Sequence, residues 1–265
     1  MIKLNNTYCM DNLELMKQIA DNSIDLIYCD ILYNTGKKFK DYDDNLGTPQ
    51  EAVEWYKPRL TEMKRILKTD GNMLLQMDYR LVHYLKVELD NIFGLKNFQD
   101  DIVWWYYNSN SGNSKKSLKK KKDNILWYSK SKDYYFNYMK ASDPLNEKQL
   151  KRFSKIDENG ECYYNNVSQD GKKIRVYLKN DKRVMLQNVW QIPIPQKVEY
   201  DTQKPIELLE RIVNIFSKEG DIIADFFCGS GTTLVVAKEL GRQYIGCDIN
   251  PKAIEITNNR LLEIN

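Results

Sequence analysis

The sequence predicts an α/β protein with a mixed, mainly parallel sheet and helices on both faces. Candidate strands and helices alternate in the first and last parts of the chain. Two of these strands end in an aspartate followed by a loop, at Asp30 and at Asp225. The second aspartate is followed by a glycine turn and then by a helix, and such turns gather at the carboxyl edge of a parallel sheet, where cofactors bind.

Composition narrows the class of protein. The chain has 265 residues, of which 42% are hydrophobic, and no apolar run is long enough for a membrane span, so we expect no membrane association and a cytoplasmic location. Five scattered cysteines without a C-x-x-C pair favour neither a metal site nor a disulfide framework. The one histidine, His83, lies in a helical pattern, which disfavours a mechanism with histidine as base.

The first block alternates strands and helices in chain order. Its predicted strands are 2–4, 24–29, 72–77, 97–107 and 124–128, the last two forming a hairpin. Its predicted helices are 11–19, 49–68 and 79–93. Pro58 falls inside the second helix and predicts a kink or a break there.

The middle of the chain loses this alternation. Between about Tyr134 and Val189 the sequence is rich in Lys, Asn, Asp and Tyr, which predicts an irregular inserted domain or long loops. We therefore divide the chain into residues 1–133, an insert at 134–195 and residues 196–265.

The last block returns to α/β order. A helix follows Pro205, a strand ends at Asp225, and a strand at 244–247 precedes Asp248 and a final helix. Thr232 and Thr233 are candidate caps of the helix after the glycine turn.

The glycine turn indicates a cofactor site. Gly229 and Gly231 permit close approach of a ligand to the backbone, and Asp248 lies where an acid can accept hydrogen bonds from ribose hydroxyls. NAD and S-adenosylmethionine (AdoMet) both carry such a ribose. Leu234, at a position where the dinucleotide motif has Gly or Ala, and Asp225 disfavour NAD, and a Walker phosphate loop is excluded because no lysine follows the glycines.

Asp30-Ile31-Leu32-Tyr33 could orient an amine. A carboxylate and a backbone carbonyl can each accept one N–H of an exocyclic amine, which localises its lone pair for attack on a methyl sulfonium, while a tyrosine stacks on the base. On these four residues alone, an aspartate that caps a helix and a tyrosine of the core remain the favoured interpretation.

In combination, these motifs resemble the β group of amino-methylating DNA methyltransferases. Asp30 to Gly36 is similar to their catalytic motif, which begins Asp-Pro-Pro-Tyr for adenine N6 and usually Ser-Pro-Pro-Tyr for cytosine N4. Asp225-Phe-Phe-Cys-Gly-Ser-Gly-Thr-Thr233 looks like their AdoMet motif, Thr202-Gln-Lys-Pro205 looks like the motif before it, and 246–251 is similar to their ribose-binding segment. The resemblance covers nearly the whole chain outside the insert.

The resemblance implies an AdoMet-dependent methyltransferase (Rossmann-like) fold, in which the strands that end at Asp30 and Asp225 should be neighbours, and a set of site residues. The catalytic residues would be Asp30, Ile31, Leu32 and Tyr33. The cofactor contacts would be Asp30, Thr202, Lys204, Pro205, Asp225, Phe226, Phe227, Gly229, Ser230, Gly231, Thr232, Thr233, Asp248, Ile249 and Asn250. Ile31 and Leu32 replace the family's two prolines, so we expect a loop that is less well preorganised.

The net charge is only +3, but the charge is unevenly placed. A dense basic block with aromatic residues on both sides suits a nucleic-acid backbone and unstacked bases, although a solvated loop is an equal interpretation of this feature alone. The candidate DNA contacts are Lys115, Lys116, Lys119, Lys120, Lys121, Lys122, Lys172, Lys173 and Arg175.

From the resemblance we expect methylation of adenine N6 in double-stranded DNA, with base flipping, in a restriction-modification system. Cytosine N4 is the nearest alternative, and RNA or a protein glutamine could also accept the methyl group. The lost prolines leave open a DNA-binding paralogue with impaired catalysis. A cognate restriction endonuclease and a homodimer are further partners that the resemblance allows.

Overall fold

The computed structural model describes residues 2–38, 43–109, 115–179, 182–196 and 203–264, which form two compact units. The first unit comprises Met1–Asn137 and Asn188–Asn265, and the second comprises Tyr138–Gln187. The expected insert at 134–195 is longer than the second unit, because residues at both ends of that range belong to the first unit.

The helices and strands follow in chain order. The strands are β1 (Asn6–Cys9), β2 (Ile24–Asp30), β3 (Lys37–Lys38), β4 (Asp43–Asp44), β5 (Leu67–Met77), β6 (Phe98–Trp105), β7 (Lys122–Ser129), β8 (Ser142–Pro144), β9 (Lys155–Ile156), β10 (Cys162–Val167), β11 (Lys173–Tyr177), β12 (Arg183–Met185), β13 (Val189–Gln191), β14 (Ile222–Asp225) and β15 (Gln243–Asp248). The helices are α1 (Asn12–Met16), α2 (Pro49–Ile66), α3 (Val82–Phe93), α4 (Glu147–Leu150), α5 (Ile206–Phe216), α6 (Thr232–Glu239) and α7 (Pro251–Leu262).

The first unit is built on an eight-stranded mixed sheet in the order β1-β15-β14-β2-β5-β7-β6-β13. The strands from β1 to β5 pair in parallel, β7 is antiparallel to β5 and to β6, and β13 is parallel to β6. The predicted mixed, mainly parallel sheet is confirmed, as is the hairpin of β6 and β7.

Both faces of the sheet are buried, as the nearly continuous apolar run of β2 requires. Ile27 and Cys29 pack in one cluster with α1, α2 and α3. Leu26 and Tyr28 are equally buried, and because side chains alternate along a strand they point to the opposite face. Helices α5 and α6, which contact each other, bury Leu208 and other apolar residues outside that cluster. The expected burial of Cys29, Cys228 and Cys247 is also confirmed.

The ends of several elements differ from the prediction, as three of them show. The first strand is Asn6–Cys9, because Thr7 and Tyr8 pair with β15 at the sheet edge, where there is little apolar pattern to detect. Helix α2 runs without a break through Pro58, held by a Thr48–Glu51 capping box and by a buried face. Strand β5 already begins at Leu67, since Leu67 pairs with Ile24 before a register shift.

The second unit consists of small antiparallel sheets, β11-β10-β9 and β12-β8. Its strands have two to six residues and are mostly exposed, which explains why the sequence there lacked a clear period. Phe153 is buried in this unit, with its ring 5.0 Å from that of Tyr164. Across both units, no helix in the part of the chain that the structure describes is long and apolar enough to cross a membrane.

Candidate active site

Two aspartates meet at the carboxyl edge of the large sheet. β14 pairs directly with β2, with Ile223 opposite Leu26 and Ala224 opposite Ile27. By this register Asp225 is level with Tyr28, and Asp30 lies two residues further along β2. The two aspartates thus share this edge of the sheet although nearly two hundred residues separate them in the chain. The expectation that these strands are neighbours is confirmed.

A cavity of about 550 Å³ opens at this edge, within the size range of small-molecule sites. Its walls come from the loop after β2, the glycine turn, the end of β15, the start of α1 and the segment before α5. The lining residues are Met10, Asp11, Asn12, Tyr28, Asp30, Ile31, Leu32, Tyr33, Thr35, Asp43, Asp44, Trp55, Gln203, Lys204, Asp225, Phe226, Phe227, Cys228, Gly229, Ser230, Thr232, Thr233, Asp248, Ile249, Asn250 and Pro251.

Asp225 stabilises the glycine turn through hydrogen bonds of its buried carboxyl group. Its carboxylate accepts hydrogen bonds from the Phe227 N–H at 3.0 Å and from the Thr233 hydroxyl at 2.6 Å. Burial raises the pKa of Asp225 to about 7. The expectation that Thr232 or Thr233 caps α6 is wrong, because Gly231 is the N-cap and the Thr233 hydroxyl is turned to Asp225 instead.

Asp248 joins the glycine turn to the next strand. Its two carboxylate oxygens accept from the backbone N–H groups of Gly229, at 3.0 Å, and of Asn250, at 2.9 Å. Burial raises the pKa of this carboxyl. Each carboxylate oxygen has a second lone pair, so hydrogen bonds from a ribose hydroxyl remain compatible with these contacts.

The loop after β2 places Tyr33 between two carboxyl groups. The Tyr33 hydroxyl is 2.7 Å from Oδ1 of Asp30 and 2.9 Å from Oδ2 of Asp123, and it accepts from the Gln76 amide at 3.1 Å. Lys204 forms an ion pair with the other oxygen of Asp30. Burial, together with these two carboxyl groups, keeps the pKa of Tyr33 well above its ordinary value, so the hydroxyl is protonated.

Hydrogen bonds fix the loop that lacks the two prolines. The Ile31 N–H donates to the carbonyl of Gln76, and the carbonyl of Leu32 accepts from the Tyr56 hydroxyl at 2.9 Å. Asn34, at a positive φ of 55°, donates its own N–H to Asp44. No described residue donates a hydrogen bond to the carbonyl oxygen of Ile31.

Sequence reasoning missed several residues of this site. Asp123 and Gln76 contact Tyr33, Asp44 and Tyr56 hold the loop, and Trp55 lines the cavity. One local feature marked Asp123, an acidic residue between a lysine block and the apolar start of a strand. The others depend on contacts between distant elements, so no local pattern could have shown them.

Some predicted cofactor residues do not line the cavity. Pro205 is the buried N-cap residue of α5, and Gly231 packs against Thr257. Thr202 lies outside the described residues. The remaining predicted cofactor residues all border the cavity.

The predicted DNA-contacting residues fall into two separate groups. Six lysines, Lys115, Lys116, Lys119, Lys120, Lys121 and Lys122, precede or begin β7 in the first unit, and all but Lys121 are exposed. Lys120 lies 4.0 Å from the ring centre of Tyr79, which follows the carboxyl end of β5. Lys172, Lys173 and Arg175 are exposed on and beside β11 of the second unit.

The fold is shared with solved structures of DNA methyltransferases. The structure of the PvuII cytosine-N4-specific DNA methyltransferase superposes with a TM-score of 0.69 at 18% identity, over 100% of this chain and 89% of that one. The structure of the M1.HpyAVI–SAM complex superposes with a TM-score of 0.59 at 22% identity, over 97% of this chain and 99% of that one.

The sequence comparisons give the family. A family model described as DNA methylase, of the N6 and N4 methyltransferase type, matches residues 24–259, and the chain belongs to this family. It is 30% identical to the type II methyltransferase M.HpaI of Haemophilus parainfluenzae, over 96% of this chain and 73% of that protein. It is 29% identical to the DNA adenine methyltransferase YhdJ of Escherichia coli strain K12, over 95% and 80%. The predicted class, a DNA methyltransferase with AdoMet as cofactor, is confirmed.

Proposed function

We propose that this DNA methyltransferase transfers the methyl group of AdoMet to N6 of adenine in duplex DNA. The observation that carries the proposal is the pairing of β2 with β14, which puts the Asp30 carboxylate on the wall of the cofactor cavity. Asp rather than Ser at position 30, and 29% identity to a protein described as a DNA adenine methyltransferase, support adenine as the target.

The residues of the cavity fit AdoMet. Asp248 would accept hydrogen bonds from the ribose hydroxyls. The apolar side chains of Phe226, Phe227 and Ile249 would pack against the adenine ring. Asp30 and Asp225 also line the cavity, and carboxylates there would stabilise a cationic cofactor. When bound, AdoMet supplies a methyl group activated by a sulfonium. The chain supplies the position and the electrostatic field in which the amine meets it.

Asp30 and the loop after it would orient the target amine. One N–H would donate to the Asp30 carboxylate and the other to the carbonyl of Ile31, which localises the nitrogen lone pair toward the methyl group. The Lys204 ammonium now donates to Asp30, so the amine would share or replace that contact. The ring of Tyr33, which borders the cavity, would stack on the extruded base.

The decisive test removes the Asp30 carboxylate. We expect Asp30→Ala to abolish incorporation of labelled methyl groups into DNA, while calorimetry still shows AdoMet binding. Asp101→Ala is the matched control, because Asp101 lies on β6 and bonds Asn124 rather than any cavity residue. Full turnover by Asp30→Ala would refute the assignment of Asp30.

The target base is decided by nucleoside mass spectrometry of the treated DNA. N6-methyladenine is the expected product, and N4-methylcytosine would correct the base while leaving the mechanism in place. Parallel assays on duplex DNA, single-stranded DNA and RNA test the proposed duplex substrate.

The type II names of several relatives support a place in a restriction-modification system. We expect DNA methylated by this protein to resist cleavage by a companion restriction endonuclease of the same specificity. Sequencing of modified bases in cells that express the protein would give the recognition site. Modification spread over unrelated sequences would count against site-specific protection.

A further inference from the structure

Asp123 is a buried acid whose hydrogen-bond partners among the described residues are neutral. Only 5% of its surface is exposed, and it lies near the start of β7. Its Oδ2 is 2.9 Å from the Tyr33 hydroxyl and 3.2 Å from the Gln76 amide nitrogen, and its Oδ1 is 3.2 Å from the Tyr106 hydroxyl. A buried carboxyl costs free energy, so a neutral side chain would serve stability better at this position.

The hydrogen bonds of Tyr33 form a route for a proton. The hydroxyl has one proton but lies within hydrogen-bond distance of two carboxyl groups, Asp30 and Asp123. Both contacts can be hydrogen bonds only when one of the carboxyl groups carries a proton. The phenol oxygen therefore links the two acids, and a proton that arrives on Asp30 can be exchanged for one that leaves toward Asp123.

Methyl transfer to an amine releases one proton, because the nitrogen gains a bond to carbon. We propose that Asp123, acting through Tyr33, receives the proton that the target amine loses. The proposal rests on the function proposed above. Asp123 is thus a positioning residue and not a catalytic one, because it acts on the reacting groups only through Tyr33.

The bond between nitrogen and the methyl carbon forms as the bond between that carbon and sulfur breaks, and the sulfonium charge is lost. The amine proton passes to Asp30, from there to the phenol oxygen of Tyr33, and the proton of Tyr33 passes to Oδ2 of Asp123. One negative charge, that of the Asp123 carboxylate, is neutralised. Tyr106, half-buried on the other oxygen of Asp123, is the next group toward solvent.

The charges around Asp123 suit an acceptor near neutral pH. Burial raises the pKa of Asp123 to about 6, the Lys204 ammonium lowers it, the Asp30 carboxylate raises it, and the hydroxyls of Tyr33 and Tyr106 lower it. Tyr28 reaches the same group through Gln76. Asp123 is thus ionised at pH 7.5 and still basic enough to hold a proton briefly.

The test compares Asp123→Asn with Asp101→Asn, the same chemical change on the adjacent strand. Single-turnover methylation of DNA is followed from pH 5 to pH 9 at saturating AdoMet. For Asp123→Asn we expect a rate at pH 7.5 that is about 100-fold lower, no acid limb near pH 6, and unchanged AdoMet affinity by calorimetry. Asp101→Asn should keep both the rate and the limb, and Asp123→Glu should restore part of the rate.

A second readout needs no methyl transfer. In protein labelled with carbon-13 at aspartate carboxyls, one resonance should titrate near pH 6 and be missing from Asp123→Asn. Its midpoint should rise in Tyr33→Phe, because the Tyr33 hydroxyl stabilises the ionised form.

The outcomes separate the two proposals. Wild-type protein that methylates DNA, with Asp123→Asn matching it at every pH, overturns the proton route alone. A resonance whose midpoint does not respond to Tyr33→Phe also overturns it. Wild-type protein that methylates no DNA overturns the proposed function and the proton route together.

Discussion

The hydroxyl of Tyr56 donates a hydrogen bond of 2.9 Å to the carbonyl oxygen of Leu32. Tyr56 is fully buried on α2, whereas Leu32 belongs to the loop that orients the target amine in the proposed mechanism. Related enzymes of the β group stiffen this loop with two prolines, and here Ile31 and Leu32 replace them. A hydrogen bond from a rigid helix thus restrains the loop from outside, where proline would restrain it from within.

Tyr56→Phe should loosen this loop without unfolding the protein. The ring stays buried, so we expect the free energy of unfolding to fall by about 1 kcal/mol. We expect kcat to fall several-fold with little change in the AdoMet Kd, since the variant affects the orientation of the amine and leaves the cofactor contacts in place. Urea denaturation, calorimetry and single-turnover rates measure the three quantities.

Tyr128→Phe is the matched control for Tyr56→Phe. The Tyr128 hydroxyl is also buried and bonds Asp90 at 2.6 Å, but it does not border the cavity. We expect a similar loss of stability and an unchanged kcat. Equal losses of kcat in both variants would show that the effect comes from stability and not from the loop.

Lys204→Met should move the acid limb of the methylation rate to higher pH. The Lys204 ammonium lowers the pKa of Asp123, so its removal raises that pKa, and ionisation of Asp123 then requires a higher pH. A displacement of the limb by about one pH unit is expected from one nearby charge. Lys204→Arg keeps the charge and should leave the limb in place. An unmoved limb in Lys204→Met would show that Lys204 does not control this titration.

Much of the sheet could be predicted from the sequence, because buried parallel strands have long apolar runs. The strands that end at Asp30 and Asp225 were identified in this way, and the family resemblance implied that they are neighbours, as they are. Edge strands were predicted less well. Asn6–Cys9 is half exposed, so its pairing with β15 has little apolar pattern to indicate it.

The site was only partly predictable for a related reason. Residues within a motif, such as Asp30, Tyr33 and Asp248, follow from local spacing. Asp123 and Gln76 reach Tyr33 from two other strands, and Tyr56 reaches Leu32 from a helix, so their roles exist only once the chain is folded. The hydrogen bonds that hold the loop at Ile31 and Leu32 likewise come from distant residues and could not be read from these two residues alone.

Asp225→Asn should change how stability depends on pH. Because the pKa of Asp225 is raised in the folded protein to about 7, the folded state favours the protonated carboxyl. The stabilisation of the folded state by Asp225 is therefore fully present below the ordinary pKa of 3.8, and it is lost as the pH rises through about 7. A tenfold difference between the acid dissociation constants of the folded and unfolded states corresponds to about 1.4 kcal/mol of stability.

We therefore expect the free energy of unfolding of Asp225→Asn to decrease less between pH 4 and pH 8 than that of wild type. Asparagine can still accept from the Phe227 N–H, so the turn should persist. Urea denaturation at a series of pH values measures the difference. Parallel curves for the two proteins would mean that Asp225 ionises as easily folded as unfolded.

Gly231→Ala should destabilise the protein more than Gly220→Ala. Both glycines have positive φ, 75° and 83°, so both alanines are strained. A Cβ at Gly231 would lie 2.3 Å from Cγ2 of Thr257, whereas a Cβ at Gly220 would meet nothing within 4 Å. We expect the free energy of unfolding of Gly231→Ala to be lower than that of Gly220→Ala by about 1–3 kcal/mol. Thermal unfolding of the two variants measures it, and equal losses would show that Thr257 moves aside at no cost.

The lysines before β7 should determine part of the salt dependence of DNA binding. Lys115 and Lys119 are exposed, and the lysine block to which they belong ends at Asp123 beside Tyr33. If both contact phosphates, Lys115→Ala/Lys119→Ala should weaken binding to all duplexes alike. It should also reduce the slope of log K against log salt by about 0.9 per lost contact.

Lys132→Ala is the control, because it removes an exposed lysine beyond the opposite end of β7 and should change neither quantity. Fluorescence anisotropy at several salt concentrations gives both values. An unchanged slope in the double variant would mean that the block lies away from the DNA, and its lysines would then be solvated surface residues.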